Sequence, residues 1–146
     1  MLFVYGTLQD PDVLGAVLGR AVAPAGLRRA TAPGHRAVSY PGRVYPALVP
    51  FVDEAASGLI VEGLTALDLA VLDAFEGDEY RRQPIMVELD GQNHPAEAYI
   101  PVIAIAPDGP AWSLARWTAL HKPTVVGAET GTATALRQRL SAEIPG

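Results

Sequence analysis

The sequence predicts an α+β domain with a curved or barrel-like sheet. Its 13 prolines and 14 glycines in 146 residues cut the chain into short pieces, which favours strands and loops over a helical bundle. Six strand-like and four helix-like segments follow one another in an uneven order. No βαβ rhythm is present, so a parallel doubly wound sheet is not expected.

Leu2–Tyr5 is an apolar run that reads as the opening strand. Pro11–Leu18 reads as a short helix with Leu14, Val17 and Leu18 on one face, stopped by Gly19. Arg36–Tyr40, Ala47–Phe51 and Gly58–Leu64 read as strands, separated by Pro41-Gly42 and by the polar stretch Asp53–Ser57. Thr65 and Asp68 have the spacing of a capping box, and the helix they open runs to Glu76, with Gly77 placed to end it. Arg82–Leu89 and Glu97–Ile105 are strands joined across the hairpin-type sequence Asp90-Gly91-Gln92-Asn93. Trp112–Leu120 and Thr132–Leu140 read as closing helices. The chain shows no repeat, linker or low-complexity tract, so residues 1–146 read as one domain, with 107–146 a helical C-terminal extension of it.

Composition excludes several function classes. Hydrophobic residues make up 49% and charged residues 18%, the balance of a compact protein with its own core. The absence of cysteine removes disulfides, thiol catalysis and thiolate metal sites. Net charge is −5 with scattered Lys and Arg, which gives no footprint for nucleic acid. No basic lead precedes the first apolar run, and no stretch reaches the ~18 apolar residues that span a bilayer. The expected setting is soluble and cytoplasmic, with neither nucleic acid nor membrane as partner.

On a wheel at about 100° per residue, Leu67, Val71, Phe75 and Leu72 span the apolar arc of the helix that Thr65 opens. Glu76 falls at the border of that arc and in the last turn. Partial burial and the negative end of the helix dipole both disfavour its charge, so its pKa is expected to rise. Such an acid is a functional candidate. The alternative is a solvated end residue paired with Arg81 or Arg82, and position on the wheel leaves both open. Asp73, Asp78 and Glu79 read as a solvated rim.

Tyr5-Gly6-Thr7-Leu8 leaves the first strand in a turn where Gly6 is free to take φ > 0. Successive N–H groups in such a turn can converge on an anion, although a glycine after a strand is more often only a turn.

These segments together resemble a known family. Phe3-Val4-Tyr5-Gly6-Thr7-Leu8 is similar to the opening signature of the γ-glutamyl cyclotransferase-like proteins. Tyr45-Pro46-Ala47-Leu48-Val49-Pro50 resembles their middle strand. Gly63-Leu64, Leu72–Arg82 with its Phe75-Glu76-Gly77 core, and Ala98-Tyr99 follow in order. The resemblance implies a small α+β fold built round a mixed β-barrel with helices packed outside. It implies that the Tyr5–Leu8 turn receives the α-carboxylate of a γ-glutamyl group through backbone N–H donors, and that Glu76 is the acid/base. Thr7-Leu8 stands where the glutathione-pathway branch carries Ser-Asn. That places the chain nearer the γ-glutamylamine cyclotransferase branch, which has many members of unassigned substrate.

The implied reaction is intramolecular, a transferase- and lyase-like chemistry. The α-amine of a γ-glutamyl unit attacks its own γ-carbonyl, releasing 5-oxoproline and an amine or amino acid. One carboxylate can accept the amine proton and return it to the leaving nitrogen. The reaction needs no metal and no cofactor. Tyr80 and Tyr99, with Tyr45, are candidates to line the substrate pocket, each also readable as an amphipathic core residue. His35, His94 and His121 share no ligand spacing, and Ser39 and Ser113 lack a nucleophile-elbow context. Trp112 and Trp117 read as core or subunit contacts. Two other functions remain compatible with the same residues. One is a non-catalytic module that binds a small carboxylated ligand, and the other is removal of a γ-glutamyl protecting group from a biosynthetic intermediate.

Overall fold

The computed structural model describes residues 1–22 and 26–120. Five strands, β1 (Leu2–Val4), β2 (Leu27–Ser39), β3 (Pro46–Val61), β4 (Tyr80–Leu89) and β5 (Gln92–Pro101), form one sheet in the order β1-β3-β2-β4-β5. The sheet is mixed. Every pairing is antiparallel except that of β1 with β5, which is parallel and rests on the single pair Leu2↔Glu97. The ring is therefore closed only loosely at this seam. Three helices, α1 (Pro11–Leu18), α2 (Ala66–Glu76) and α3 (Leu114–Leu120), pack outside it. This is the expected fold class.

Strand β1 explains the division of the core. Its side chains alternate between faces, and both faces are buried. Leu2 and Val4 join a layer with Val13, Leu14 and Val17 of α1, Val71 and Leu72 of α2, and Trp117 of α3. Phe3, together with Tyr5 just beyond the strand, joins the barrel interior. There small side chains from the other strands (Ala30, Ala32, Ala56, Ala96, Ala98) leave room for the two rings. Gly58 on β3 permits the close approach. A Cβ there would stand 2.4 Å from the Val4 carbonyl oxygen and 2.7 Å from Phe3 Cζ.

The helix ends follow their sequence signals. Asp10 caps α1 by accepting from the Asp12 and Val13 N–H groups, and left-handed Gly19 stops it. Thr65 and Asp68 form the capping box reciprocally, at 3.1 and 2.9 Å. Gly77, at φ 66, ends α2.

Several strand bounds differ from expectation. The two strands expected either side of Asp53–Ser57 are one strand, β3. Ala55, Ala56 and Ser57 stay in the ladder against Pro33, Ala32 and Thr31, and the exposed Asp53 and Glu54 lie at a break in it. The register then jumps to His35↔Pro50, a bulge that bends the long hairpin. Strand β2 starts at Leu27, earlier than expected, because Leu27–Ala32 pair with Val61–Ala56. Strand β4 starts two residues early, at Tyr80. Strand β5 spans Gln92–Pro101 because the hairpin turn needs only Asp90 and Gly91, both at positive φ, as a two-residue type I′ turn requires. The residues before α3 form no helix: Ala111 bridges Val38, and Trp112 donates from Nε1 to the Val44 carbonyl. The helix expected at Thr132–Leu140, and His121, lie outside the described residues.

Candidate active site

The exit of β1, the start of β3, the end of α2 and the facing ends of β4 and β5 surround a cavity of about 210 Å³. Tyr5, Gly6, Thr7 and Leu8 form one wall, Phe75 and Glu76 another, and Tyr45, Pro46, Glu79, Tyr80 and Tyr99 the rest. All eight residues singled out from sequence, Tyr45 included, thus meet at one place. Phe3, Val4, Pro46, Phe75 and Glu79 are additions.

The turn differs in detail from expectation. It is a 3-10 turn, Thr7–Gln9, closed by Gln9 N–H to the Gly6 carbonyl at 3.1 Å and Asp10 N–H to the Thr7 carbonyl at 3.0 Å. Gly6 has φ −119, so the glycine is not there to supply a positive φ. A Cβ at Gly6 would stand 2.9 Å from Pro46 Cγ and 3.1 Å from its Cδ. Close approach of the β3 start explains this glycine. The first N–H groups of any helical turn lack internal partners. Among the described residues, no hydrogen bond uses the N–H groups of Gly6, Thr7 and Leu8 or the Thr7 hydroxyl.

Four tyrosines line the cavity. Tyr5, 6% exposed, donates its hydroxyl proton across the barrel to the Tyr99 carbonyl at 2.5 Å. Tyr80 donates to the Pro46 carbonyl at 2.5 Å, and Tyr99 donates to Asp73 Oδ1 at 2.8 Å. Tyr45 donates to Glu79, whose other oxygen meets Arg43 Nε at 3.3 Å. The rings of Tyr40, Tyr45 and Tyr80 pack against one another, tilted by 52–59° with centroids 5.6–6.1 Å apart, beside the cavity.

Electrostatics follow from that packing. Burial pushes the Tyr5 hydroxyl far above the ordinary tyrosine range, and the nearby charge of Glu76 adds to the shift. Burial does the same to Tyr80 and Tyr99, and Glu76 acts on both. Tyr45 is pushed up to about 12, by burial and then by its bond to Glu79. The tyrosines are therefore neutral at any physiological pH, and the field of the half-buried Glu76 reaches three of them.

Two residues expected on a solvated rim have roles. Glu79 lines the cavity, and Asp73 holds Tyr99. Asp73 lies three residues before Glu76 and Glu79 three after, spacings that keep neighbours on one helical face; that was the available signal. Arg82, a possible partner of Glu76, instead grips Asp73 through Nε and a terminal nitrogen at 3.0 and 3.2 Å and reaches Glu97 at 3.1 Å. Trp117 is core, 2% exposed. His35 and His94 sit half-buried on different strands.

The chain matches the family model described as gamma-glutamyl cyclotransferase, AIG2-like, over residues 2–119. It belongs to that family. AIG2-like protein A of Arabidopsis thaliana is 34% identical over 124 residues, covering 83% of this chain and 73% of the relative. AIG2-like protein D of the same plant is also 34% identical, covering 82% and 80%. A solution structure of an Arabidopsis thaliana protein superposes with a TM-score of 0.65 at 32% identity, over 87% of this chain and 85% of the other. YkqA of Bacillus subtilis gives 0.54 at 25%, covering 84% of this AIG2-like chain but 42% of that longer one. Among the described residues, no helix is long and apolar enough to cross a membrane.

Proposed function

We propose that this chain is a γ-glutamyl cyclotransferase-type enzyme with Glu76 as its acid/base, releasing 5-oxoproline from a γ-glutamyl amine or amino acid. The observation that carries the reading is the polarity of the cavity. Its uncommitted donors, among the described residues, belong to the Gly6–Leu8 turn. Its acceptors are tyrosine oxygens and the carboxylates of Glu76 and Glu79. A ligand with an anionic group at one end and an amine at the other matches that division, and a γ-glutamyl head is such a ligand. The cavity lies below the ~300–1,000 Å³ of drug-sized sites, in keeping with a small substrate.

The turn N–H groups hold the α-carboxylate and fold the substrate so that amine and γ-carbonyl meet. Orientation of this kind removes several kcal/mol of barrier. Glu76 accepts a proton from the α-amine as the nitrogen bonds to the γ-carbon. The carbonyl electrons move to oxygen, where the remaining turn donors, Thr7 hydroxyl included, offset the developing charge. The oxyanion then collapses, the bond from the γ-carbon to the departing nitrogen breaks, and Glu76 returns the proton to that nitrogen. Tyrosine hydroxyls are poor oxyanion donors here, since each has given its single proton to a protein acceptor.

The test is release of 5-oxoproline from a panel of γ-glutamyl amines, γ-glutamyl amino acids and glutathione. Glu76→Gln is expected to lower kcat by about 10²-fold or more while retaining affinity for 5-oxoproline. Absence of product from every member, with wild type and variant binding 5-oxoproline equally, would replace the enzyme by a binding module.

A further inference from the structure

We infer that Tyr80 and Tyr99 form a receptor for the substrate's α-amine, and that Asp73, clamped by Arg82, is the positioning residue that sets Tyr99's polarity. The inference rests on the cyclotransferase reading and adds residues to it.

A tyrosine hydroxyl has one proton to donate and two lone pairs with which to accept. The partners of these two hydroxyls are a backbone carbonyl, Pro46, and a carboxylate, Asp73. Neither partner has a proton to give, so both tyrosines must be the donors, and towards any ligand in the cavity they can only accept. A backbone carbonyl can hold no other polarity. A side chain can, and Asp73 is held by two bonds from Arg82, which also spans to Glu97. With Glu76 lining the same cavity, an ammonium or amine N–H finds acceptors in Tyr80, Tyr99 and Glu76. Burial keeps both hydroxyls protonated, so the arrangement holds throughout the physiological pH range. As one N–H of the neutral amine goes to Glu76, the other bonds a tyrosine oxygen. That leaves the nitrogen lone pair for the γ-carbonyl.

Tyr99 and Arg82 Nε share Asp73 Oδ1, and the second Arg82 nitrogen takes Oδ2. Asp73→Asn sets an NH₂ against one of these donors, so it breaks the fork and releases the Tyr99 hydroxyl from its fixed orientation.

The experiment measures binding by calorimetry on the Glu76→Gln protein, so that substrate survives. The two ligands are γ-glutamyl ethylamide and its des-amino counterpart, N-ethylglutaramic acid. Tyr80→Phe, Tyr99→Phe and Asp73→Asn are added singly, and Glu88→Gln, exposed on β4 and outside the cavity lining, serves as control. Each of the first three is expected to weaken ethylamide binding by about tenfold or more, the size of a lost hydrogen bond to a charged group. N-ethylglutaramic acid binding should stay nearly unchanged, and Glu88→Gln should alter neither. Equal losses for both ligands, or no loss, would overturn the receptor. Should the wild type still release 5-oxoproline from the panel, the cyclotransferase reading would survive that failure. Discrimination between the two ligands without any turnover would keep the receptor and overturn the enzyme. No turnover and no binding of either ligand would remove both.

Discussion

Replacing Gly6 by alanine tests why the turn has its shape. The new Cβ would lie 2.9 Å from Pro46 Cγ and 3.1 Å from Cδ, whereas carbon atoms rest about 3.5–4.0 Å apart. The proline ring or the turn must therefore yield by roughly 0.5–1 Å, the difference between those separations. Pro46 has little freedom to do so, because it opens β3 opposite Ser39 and its carbonyl takes the Tyr80 proton. Overpacking of this kind costs about 1–3 kcal/mol, and each kcal/mol lowers Tm by about 2–4 °C in a chain of this length. A displacement near 1 Å at the reacting groups costs about 10²-fold in rate, so kcat/KM should fall much further than stability. Urea denaturation and 5-oxoproline release give the two numbers. Pro46→Ala removes the atoms that clash, so adding it to Gly6→Ala should restore part of both losses, a coupling that double-mutant cycles detect. Wild-type stability and turnover in Gly6→Ala, or strictly additive losses in the pair, would refute the contact as the reason for the glycine.

Gly58→Ala should be the more destabilising glycine change, because its Cβ meets the Val4 carbonyl and the Phe3 ring at 2.4–2.8 Å; a urea midpoint equal to that of Gly6→Ala would contradict this. Tyr5→Phe leaves the Tyr99 carbonyl without its proton donor, a loss of about 1–3 kcal/mol measurable by thermal melting. In alkali, Tyr45 has a folded pKa of about 12 against an unfolded value of 10.0, and Tyr5, Tyr80 and Tyr99 are raised further. A raised pKa stabilises fully below the unfolded value and loses its effect as pH climbs through the folded one. Stability should thus fall from about pH 10 upward, and phenolate absorbance of the buried tyrosines should appear only together with unfolding.

Local signals were the ones legible in the sequence. The Thr65–Asp68 box, the Gly19 and Gly77 stops and the Asp90-Gly91 turn depend on residues a few positions apart, and each stands where expected. The polarity of Asp53–Ser57 does not mark a loop, because an exposed strand edge beside a bulge is equally polar. The site was legible as residues and not as bonds. Glu76, Tyr5, Tyr80 and Tyr99 could be picked out individually, but the acceptors of the three tyrosine protons lie 94, 34 and 26 positions away. Pairing over such distances is decided by the closure of the sheet, which no local pattern encodes. Gly6 was recognised for a reason the structure replaces, because a contact with Pro46 forty residues on leaves no trace beside the glycine.

The seam between β1 and β5 also orders events in time. β1 pairs through Leu2 with Val61 on one side and Glu97 on the other, and the Glu97 N–H bonds the Met1 carbonyl. Loops of that length are slow to close. The β2–β3 and β4–β5 hairpins can form from near neighbours, whereas β1 must wait for partners that leave the ribosome long after it. Strand β1 also carries the Tyr5–Leu8 turn into place. The cavity is therefore among the last parts of the molecule to be assembled, and a chain interrupted before residue 97 has every residue of the donor wall but nothing to hold its second edge.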